Sequence, residues 1–376
     1  MNMFLGAING TKCASSGCVE LEDMADSQFR ERWQILQARQ EAATAVYQSP
    51  SFFEYLAATE GSDKLAVLSV RMTSGGPIAG VVPVQKFDLG IPFAIGDYTI
   101  LTPRLPALRV LGSEPMVPRT RQAHDLLFDM IARHYRDLSA IEMDAVEVDG
   151  FLWRYLLSSP VIQANFFVHV LYGVRDCHFV NLPSSIEQFR NQLGRKLRHN
   201  LERQERVLER HLGARLVLTP LSKEEDVPAL IAALSELTVP GADDPAVKRR
   251  YAAAARHGFL YCCVLRAGMR VVGLARGTKS NDTYRLDKLF YDRTLRRYSP
   301  GTTLWQRLLR FLIQDGTFKH VDLGYGVPAY PYRSINTTCR RAKVLLLRRT
   351  VSNHCLIELH RGYCAMADFM KAIPVH

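Results

Sequence analysis

The stretch from Thr283 to Arg333 constrains the fold more than any other part of this chain. A β-rich run, Thr283 to Tyr291, leads into a basic turn-forming segment, and a second short strand is predicted from His320 to Leu323. Between them apolar residues recur at helical spacing (Leu304, Leu308, Leu309 and Phe311-Leu312), and Asp315-Gly316 supplies the end of a helix. The stretch therefore predicts a strand, a turn, a helix and a strand in succession.

The turn of this unit has the features of an anion site. Three arginines precede the opening of the helix, which carries two threonines in its first turn: Arg293, Arg296, Arg297, then Tyr298-Ser299-Pro300-Gly301, then Thr302 and Thr303. The start of a helix presents free backbone N–H groups and the positive end of the helix dipole. We therefore expect a phosphate here. On local sequence alone, the alternative is an ordinary helix start in which Ser299 is only the capping residue.

Two parts of the chain repeat the same order of elements. Near 65–148 and near 259–323 a predicted hairpin is followed by a helix and a strand, which suggests a duplicated domain. In the first copy, the segment that corresponds to the basic turn is Ser113–Pro118, which has no glycine at the helix start and carries an acid, Glu114. If one copy binds a phosphate, we expect it to be the second.

The predicted organisation has three parts. Residues 1–28 are small, polar and mildly acidic, and we expect a flexible leader there. A boundary is predicted between Val174 and Pro183, which gives one domain at 29–178 and a second at 179–376. A chain of 376 residues is long enough for two such domains.

The charge balance favours anionic partners. The formal net charge is +11 and the isoelectric point about 9.3, which suits nucleic acid, an acidic membrane face or CoA, or simply keeps the protein soluble. The eight cysteines show no CxxC spacing, so we expect reduced thiols, no zinc site and a cytoplasmic protein. The N-terminus has no signal-peptide pattern, and no window is apolar enough for a membrane helix.

A long, strongly charged helix is predicted from Ile186 to His211. Its basic residues are Arg190, Arg195, Lys196, Arg198, Arg203, Arg206 and Arg210. Glu202, Glu205 and Glu209 are interleaved with them and allow ion pairs along the helix. A solvated, salt-bridged helix is one interpretation. The other is a contact with an anionic partner, such as aminoacyl-tRNA, a polysaccharide or a lipid surface.

At this point the residues carry a family resemblance. The segment Phe189–Leu201, the turn Tyr298–Gly301 and the strand end Val321–Gly326 followed by Tyr330 and Tyr332 resemble the GNAT acyl-CoA N-acyltransferase superfamily, in particular the FemAB-related CelD/BcsL group encoded near cellulose-synthesis genes. The resemblance extends from Phe29 to the C-terminus and is strongest over 185–335. It implies an α/β (α+β) fold of tandem GNAT-like domains, each a mixed, mostly antiparallel sheet flanked by helices. The first domain would be degenerate and the second would bind acyl-CoA, with no metal.

The resemblance also implies roles for individual residues. Acyl-CoA would contact Arg293, Arg296, Arg297, Ser299, Gly301, Thr302 and Thr303. Proton transfer requires an acceptor for the amine and a donor for the leaving thiolate, for which the candidates are Asp322 first, Asp287 second, and Tyr330 or Tyr332. Members of the group usually carry an acid and a Tyr-Lys pair after this strand, whereas here Val327–Tyr332 lacks the acid and has Pro331 where lysine is common. This departure leaves the pocket and the activity open.

The resemblance thus implies an acyltransferase that moves an acetyl or other acyl group from acyl-CoA to an amine or hydroxyl acceptor by direct transfer. A FemAB-like transferase that uses aminoacyl-tRNA and a non-catalytic GNAT-like module in polysaccharide biosynthesis are the alternatives. No GxSxG, P-loop, GxGxxG or HExxH motif occurs. Cys262 and Cys263 are expected to be buried strand cysteines, not nucleophiles.

Overall fold

A large mixed sheet runs through the protein, whose structure is a computed structural model that describes residues 17–24, 26–39, 43–95, 98–325 and 336–372. In chain order the strands are β1 Cys18–Leu21, β2 Leu65–Arg71, β3 Ile78–Gly90, β4 Phe93–Ile95, β5 Tyr98–Leu101, β6 Arg104–Val110, β7 Ala140–Glu147, β8 Phe166–Asn181, β9 Leu216–Leu221, β10 Cys262–Ala267, β11 Arg270–Ser280, β12 Thr283–Tyr291, β13 His320–Asp322 and β14 Asn336–Arg348. Twelve of them form the main sheet in the order β1-β2-β3-β6-β7-β14-β8-β13-β12-β11-β10-β9, and β4 and β5 form a separate hairpin.

Helices cover both faces of this sheet. They are α1 Ser27–Ala38, α2 Pro50–Glu60, α3 Arg121–His134, α4 Phe151–Ser158, α5 Pro160–Asn165, α6 Ile186–Gln192, α7 Arg195–Leu212, α8 Val227–Glu236, α9 Pro245–Arg256, α10 Pro300–Asp315 and α11 Val351–Ala372. Short 3-10 helices occupy Ala43–Gln48, Ser62–Lys64, Glu224–Asp226 and Arg293–Tyr298. The predicted mixed α/β class is confirmed.

Alternation along the strands assigns the helices to the two faces. Leu346 of β14 packs in the core with α3, α4 and α5, whereas its neighbour Leu345 packs in the core with α11. In the same way Cys263 faces α7 and α10, and Cys262 faces α8 and α9. We call the side that carries α3–α7 and α10 the first face, and the side that carries α1, α2, α8, α9 and α11 the second face.

The predicted repetition is visible in the topology. In the N-terminal half β2, β3 and β6 form an antiparallel set, and α3 then crosses over to β7, which pairs with β6 in parallel. In the C-terminal half β10, β11 and β12 repeat this set, and α10 crosses over to β13, which pairs with β12 in parallel. The two hairpins predicted from the sequence correspond to β2–β3 and β10–β11.

The sheet is continuous across the predicted domain boundary. Strand β8 runs through residues 178 and 179 without a break, and β14 lies between β7 and β8, where it pairs with both. Leu347 of β14 and Ile357 of α11 are buried against Leu89 and Ala140 of the N-terminal half. The end of the chain therefore completes the N-terminal half, although it was assigned to the second domain from the sequence. Only pairing between distant segments reveals this arrangement.

The long helix predicted from Ile186 to His211 is interrupted. It forms two helices, α6 and α7, because Leu193 is extended (φ −86°, ψ 128°) and its side chain is buried. Gly194, which has the low helix propensity of glycine, caps the second helix. Near the end of the chain, Asn336–Arg348 form one long strand, β14.

Candidate functional site

An opening in the sheet lies between the parallel strands β12 and β13. They pair only at Thr283–Arg285 with His320–Asp322, after which β13 ends and β12 continues for six residues to Tyr291. On its other side β12 stays paired with β11 throughout. Among the described residues, no strand therefore pairs with the free edge of β12 at 286–291. Such an edge offers backbone donors and acceptors to an extended ligand.

A bulge in β12 lies at the start of this opening. Leu286 is opposite Gly277 and Lys288 is opposite Arg276, so Asp287 is the extra residue. A bulge bends a strand and redirects a side chain. It therefore presents Asp287, a predicted catalytic residue, beside the point where the two strands separate.

The free edge of β12 leads directly to the basic turn and to the start of α10. Ser299 has a left-handed backbone (φ 55°, ψ 48°), and its side chain makes no capping hydrogen bond, so the interpretation of Ser299 as a cap is not supported. Its carbonyl accepts from the N–H of Thr303 at 3.1 Å and from the Thr303 hydroxyl at 3.2 Å. Since Pro300 has no N–H, the remaining donors are those of Gly301 and Thr302, for which no described residue supplies an acceptor.

The predicted donor-site residues divide into two groups at this turn. Arg293, Arg296 and Arg297 are exposed, and none forms an ion pair with a described carboxylate. Thr303 is 1% exposed and both of its donors bond to Ser299, so the structure places it in the core, away from any ligand. The structure therefore brings the arginines and the free N–H groups together and leaves Thr303 out.

Two contacts fix the turn. Arg270 forms a salt bridge with Asp292 at 2.5 Å, and Asp292 also caps the 3-10 helix by accepting from the N–H of Thr294 at 2.9 Å. Although burial acts in the opposite direction, the hydrogen bonds from Thr294 and Arg270 lower the pKa of Asp292. A Cβ at Gly301 would lie 3.2 Å from the Tyr291 ring, so glycine allows the helix start to approach the end of β12.

A polar cluster lines the second face beside the opening. Asp322 of β13 is opposite Arg285 of β12, and their neighbours Val321 and Tyr284 are buried on the first face. The Asp322 carboxylate is 1% exposed, accepts from the N–H of Gly324 at 2.7 Å and lies 3.3 Å from Nη1 of Arg341. Both of its oxygens are therefore engaged within the protein.

The second predicted base is in a different environment. Asp287 keeps 30% of its side chain exposed, and its Oδ1 lies 3.6 Å from Nε of Arg285. Burial raises the pKa of Asp287 above its ordinary value, even though Arg285 and Arg276 act to lower it. A carboxylate that is accessible and less acidic than usual suits proton transfer better than the buried, ion-paired Asp322 does.

Tyr47 is a residue of the cluster that sequence reasoning missed. It lies in the 3-10 helix Ala43–Gln48 of the N-terminal half, with its ring 5.2 Å from the guanidinium carbon of Arg285. Burial raises the pKa of Tyr47, so the phenol holds its proton. No local motif marks this tyrosine. The predicted tyrosines, Tyr330 and Tyr332, lie outside the described residues.

The N-terminal half has a similar polar pair without the opening. Arg109 of β6 is opposite Glu142 of β7 and forms a salt bridge with it at 2.7 Å. However, β6 pairs with β7 up to its last residue, Val110, so the strands do not separate before the turn. Thr120 then caps α3 by accepting from the N–H of Ala123 at 3.3 Å. The first copy thus has closed strands and a capped helix, whereas the second has separated strands and an uncapped helix start.

Among the described residues no group of His, Cys, Asp and Glu could hold a metal ion, and no helix in this part of the chain is long and apolar enough to cross a membrane. Cys262 and Cys263 are buried, and burial raises the pKa of both thiols, which argues against a nucleophilic role.

A family model and several solved structures are similar to parts of this chain. Residues 195–334, which include the turn, α10 and β13, match the family model of the acetyltransferase (GNAT) domain. No curated protein matches the chain by sequence. The family match supports a transferase. The CelD/BcsL group is not identified by these comparisons and stays a prediction.

Several solved structures share the fold. FemX superposes with a TM-score of 0.58 at 9% identity, covering 87% of this chain and 97% of its own. A tandem GNAT protein from the clavulanic acid biosynthesis pathway, solved without acetyl-CoA, superposes with a TM-score of 0.52 at 12% identity. The match covers 89% of this chain and 98% of that protein. L-PGS from Bacillus licheniformis superposes with a TM-score of 0.50 at 11% identity, and the match covers 94% of this chain and 99% of L-PGS. At these identities the likeness shows the fold alone, a mixed α/β fold of the GNAT type.

Proposed function

We propose that this protein is an acyltransferase that moves an acetyl or other acyl group from acyl-CoA to an amine or hydroxyl acceptor. One observation carries the proposal: the opening between β12 and β13 leads directly to an uncapped helix start with two free N–H groups and three exposed arginines. An extended thiol arm fits the strand edge, and the pyrophosphate at its end fits the helix start.

The N–H groups of Gly301 and Thr302 would hold the pyrophosphate, and Arg293, Arg296 and Arg297 would add charge-assisted contacts. Ser299 contributes through its backbone shape, since its left-handed conformation turns the chain into the helix. Thr303 is omitted from this donor site because its donors are already used.

Asp287 is the proposed proton acceptor and Tyr47 the proposed proton donor. The acceptor's amine or hydroxyl would attack the thioester carbon directly and pass its proton to Asp287. The C–S bond then breaks, and the leaving thiolate would take a proton from the neutral phenol of Tyr47. Asp322 would instead hold Arg341 and the turn at Gly324 in place.

The N-terminal half would serve this reaction without binding a donor of its own. Its strands stay paired at the corresponding place, yet it supplies Tyr47 to the cluster. A degenerate first domain and a donor-binding second domain are thus part of the proposal, with β14 and α11 completing the first. A cytoplasmic location is also proposed, as the sequence pattern of the eight cysteines favours reduced thiols.

Calorimetric titration with acetyl-CoA tests the donor site. Wild-type protein is expected to bind, and Gly301→Asp is expected to lose binding because it places a carboxylate at the anion site. Gly362→Asp adds the same charge where a Cβ would have nothing within 4 Å, and it should bind like wild type. Absence of binding by the wild type, or equal binding by Gly301→Asp, would contradict the proposal.

The two rival functions give different results in solution. An aminoacyl-tRNA donor predicts RNA binding that weakens steeply with salt, and no turnover of acetyl-CoA in the absence of RNA. A non-catalytic module predicts no acyl transfer and no thioester hydrolysis across a broad panel of amines and sugars.

A further inference from the structure

A row of basic side chains runs along the exposed side of α7. Arg195, His199, Arg203, Arg206 and Arg210 are all exposed and are separated by four, four, three and four residues. This spacing puts them on one stripe of the helix, which at 1.5 Å per residue is about 22 Å long. We call these five residues the α7 stripe.

The acids of α7 do not neutralise the stripe. They pair with arginines of other elements: Glu202 with Arg190 at 3.0 Å, Glu205 with Arg307 and with Arg310 at 3.3 Å, and Glu209 with Arg307 at 3.4 Å. Among the described residues no ion pair joins two residues of α7, although the sequence allowed such pairs. The α7 stripe consequently presents its charge to solvent.

The stripe ends at the proposed donor site. His211 follows Arg210, and its ring stacks on Tyr298 of the basic turn with centroids 4.1 Å apart. The guanidinium of Arg297 lies 4.8 Å from the same Tyr298 ring. The exposed cations of α7 and those of the turn therefore form one continuous surface that leads to the N–H groups of Gly301 and Thr302.

We propose that this surface binds an acidic helical carrier protein whose serine bears the acyl group on a phosphopantetheine arm. The inference rests on the proposed function, because the arm would enter the same opening between β12 and β13. Its single phosphodiester would lie at the start of α10, and carboxylates in a row on the carrier's helix would face the α7 stripe. The complementary charges would steer the carrier and fix its orientation.

Two features of α7 favour a protein over a nucleic acid or a membrane. Sites for single-stranded nucleic acid combine cations with aromatic side chains, but α7 has no Phe, Tyr or Trp, and Tyr298 is already stacked on His211. Helices that bind membranes carry a broad apolar face, whereas Val207 is the exposed large hydrophobic residue of α7. A single row of cations on one helix matches a single row of carboxylates on another.

The chemical step is unchanged by the carrier. The acceptor's nitrogen or oxygen forms a bond to the acyl carbon, and the thioester C–S bond of the carrier's arm breaks. The acceptor loses a proton to Asp287 and the departing sulfur gains one from Tyr47. The carrier leaves with a free thiol on its arm, and no oxidant or reductant is needed.

Steady-state kinetics with acetyl-loaded acyl carrier protein and with acetyl-CoA, in the presence of one acceptor amine, test the inference. Arg203→Glu is expected to lower kcat/KM for the carrier about tenfold and to leave the value for acetyl-CoA within about twofold. Arg249→Glu, an equal charge reversal at an exposed arginine of α9, should change neither value. For the wild-type protein, kcat/KM for the carrier should also fall as the salt concentration rises, because the contact is electrostatic.

The outcomes separate this inference from the proposed function. The carrier proposal is wrong if the protein turns over acetyl-CoA but does not use the loaded carrier. It is also wrong if Arg203→Glu affects both donors equally. In both cases the proposed acyltransferase function is unaffected. If the protein binds tRNA but not the carrier, and Arg203→Glu abolishes the tRNA binding, the surface binds RNA and the carrier proposal is wrong. Failure of the wild type to bind either acetyl donor overturns both proposals.

Discussion

The hydroxyl of Tyr325 donates a hydrogen bond to Oδ1 of Asp144 at 3.1 Å and so joins the end of β13 to β7 of the N-terminal half. The hydroxyl oxygen of Tyr325 in turn accepts from the N–H of Ala145 at 3.0 Å, and Ala145 has a left-handed backbone (φ 57°). Burial and the adjacent Asp144 raise the pKa of Tyr325, so the phenol remains a donor at neutral pH. One tyrosine thus connects the two halves beside the polar cluster.

Removal of this hydroxyl is expected to weaken the connection. Tyr325→Phe should lower the free energy of unfolding by about 1–2 kcal/mol, because the carboxylate of Asp144 loses the phenol donor, whereas the N–H of Ala145 keeps its bond to Oδ1 of Asp144 at 2.9 Å. Urea denaturation followed by circular dichroism measures the change. Tyr291→Phe is the control, since Tyr291 is exposed and should tolerate the loss of its hydroxyl. Equal stabilities of the two variants would show that the hydrogen bond contributes nothing.

Loss of a hydroxyl is expected to destabilise the start of α3 more than the start of α10. Thr120→Ala removes the cap of α3 and should cost about 1 kcal/mol of unfolding free energy. Ser299→Ala should cost much less, because the Ser299 side chain caps nothing. Ser299→Gly should be neutral or stabilising, since glycine accepts a positive φ without strain. Thermal denaturation of the three variants distinguishes these effects, and a large loss in Ser299→Ala would contradict the uncapped start.

The sequence predicts local elements of the fold, but it does not predict contacts between segments that are far apart in the chain. The strand, turn and helix from Thr283 to Asp315 were predictable because apolar spacing, Pro300 and Gly316 act locally. The insertion of β14 between β7 and β8 depends on pairing between segments far apart in the chain, which periodicity does not encode. The same limit hid Tyr47, whose position over Arg285 is set by the packing of the two halves.

Neutralising Asp322 is expected to lower stability, whereas neutralising Asp287 is expected to lower activity. Asp322→Asn leaves the guanidinium of Arg341 without its buried partner and should cost about 3–5 kcal/mol of unfolding free energy. Asp287→Asn removes the proposed base and should lower kcat with little loss of stability. Denaturation and steady-state kinetics on both variants provide the comparison. Full activity in Asp287→Asn would remove this residue from the mechanism.

The pH dependence of the rate is a separate test of Asp287. Because the pKa of its carboxyl is raised in the folded state, the base form accumulates only above the ordinary range of an aspartate. We expect kcat to rise as pH increases through that raised value, and this limb should be absent in Asp287→Asn. Asp287→Glu should retain the limb at lower amplitude. The raised pKa also means that ionisation of Asp287 slightly destabilises the fold as pH rises through the same range.

The contact between β8 and α11 is expected to weaken in acid. His169 of β8 and His360 of α11 are both buried with ring centroids 5.2 Å apart, and among the described residues Nε2 of His169 has no partner. Burial, reinforced by His360 and Arg361, lowers the pKa of His169 from its usual 6.5 to about 4, with Glu358 acting in the opposite direction. Burial also lowers the pKa of His360, despite a hydrogen bond at the Pro92 backbone.

Since these pKa values are depressed in the folded state, the unfolded chain binds more protons below the ordinary histidine pKa. The stability that the neutral imidazoles provide is present above about pH 6.5 and is lost as pH falls toward about 4. Hydrogen exchange of α11 amides at decreasing pH should therefore show earlier opening of this helix than of α10. His169→Phe should reduce the pH dependence in that window, because an uncharged ring of similar size gains no proton, whereas Cys355→Ser on the exposed side of α11 should leave it unchanged. An unaltered acid response in His169→Phe would assign the effect to other groups.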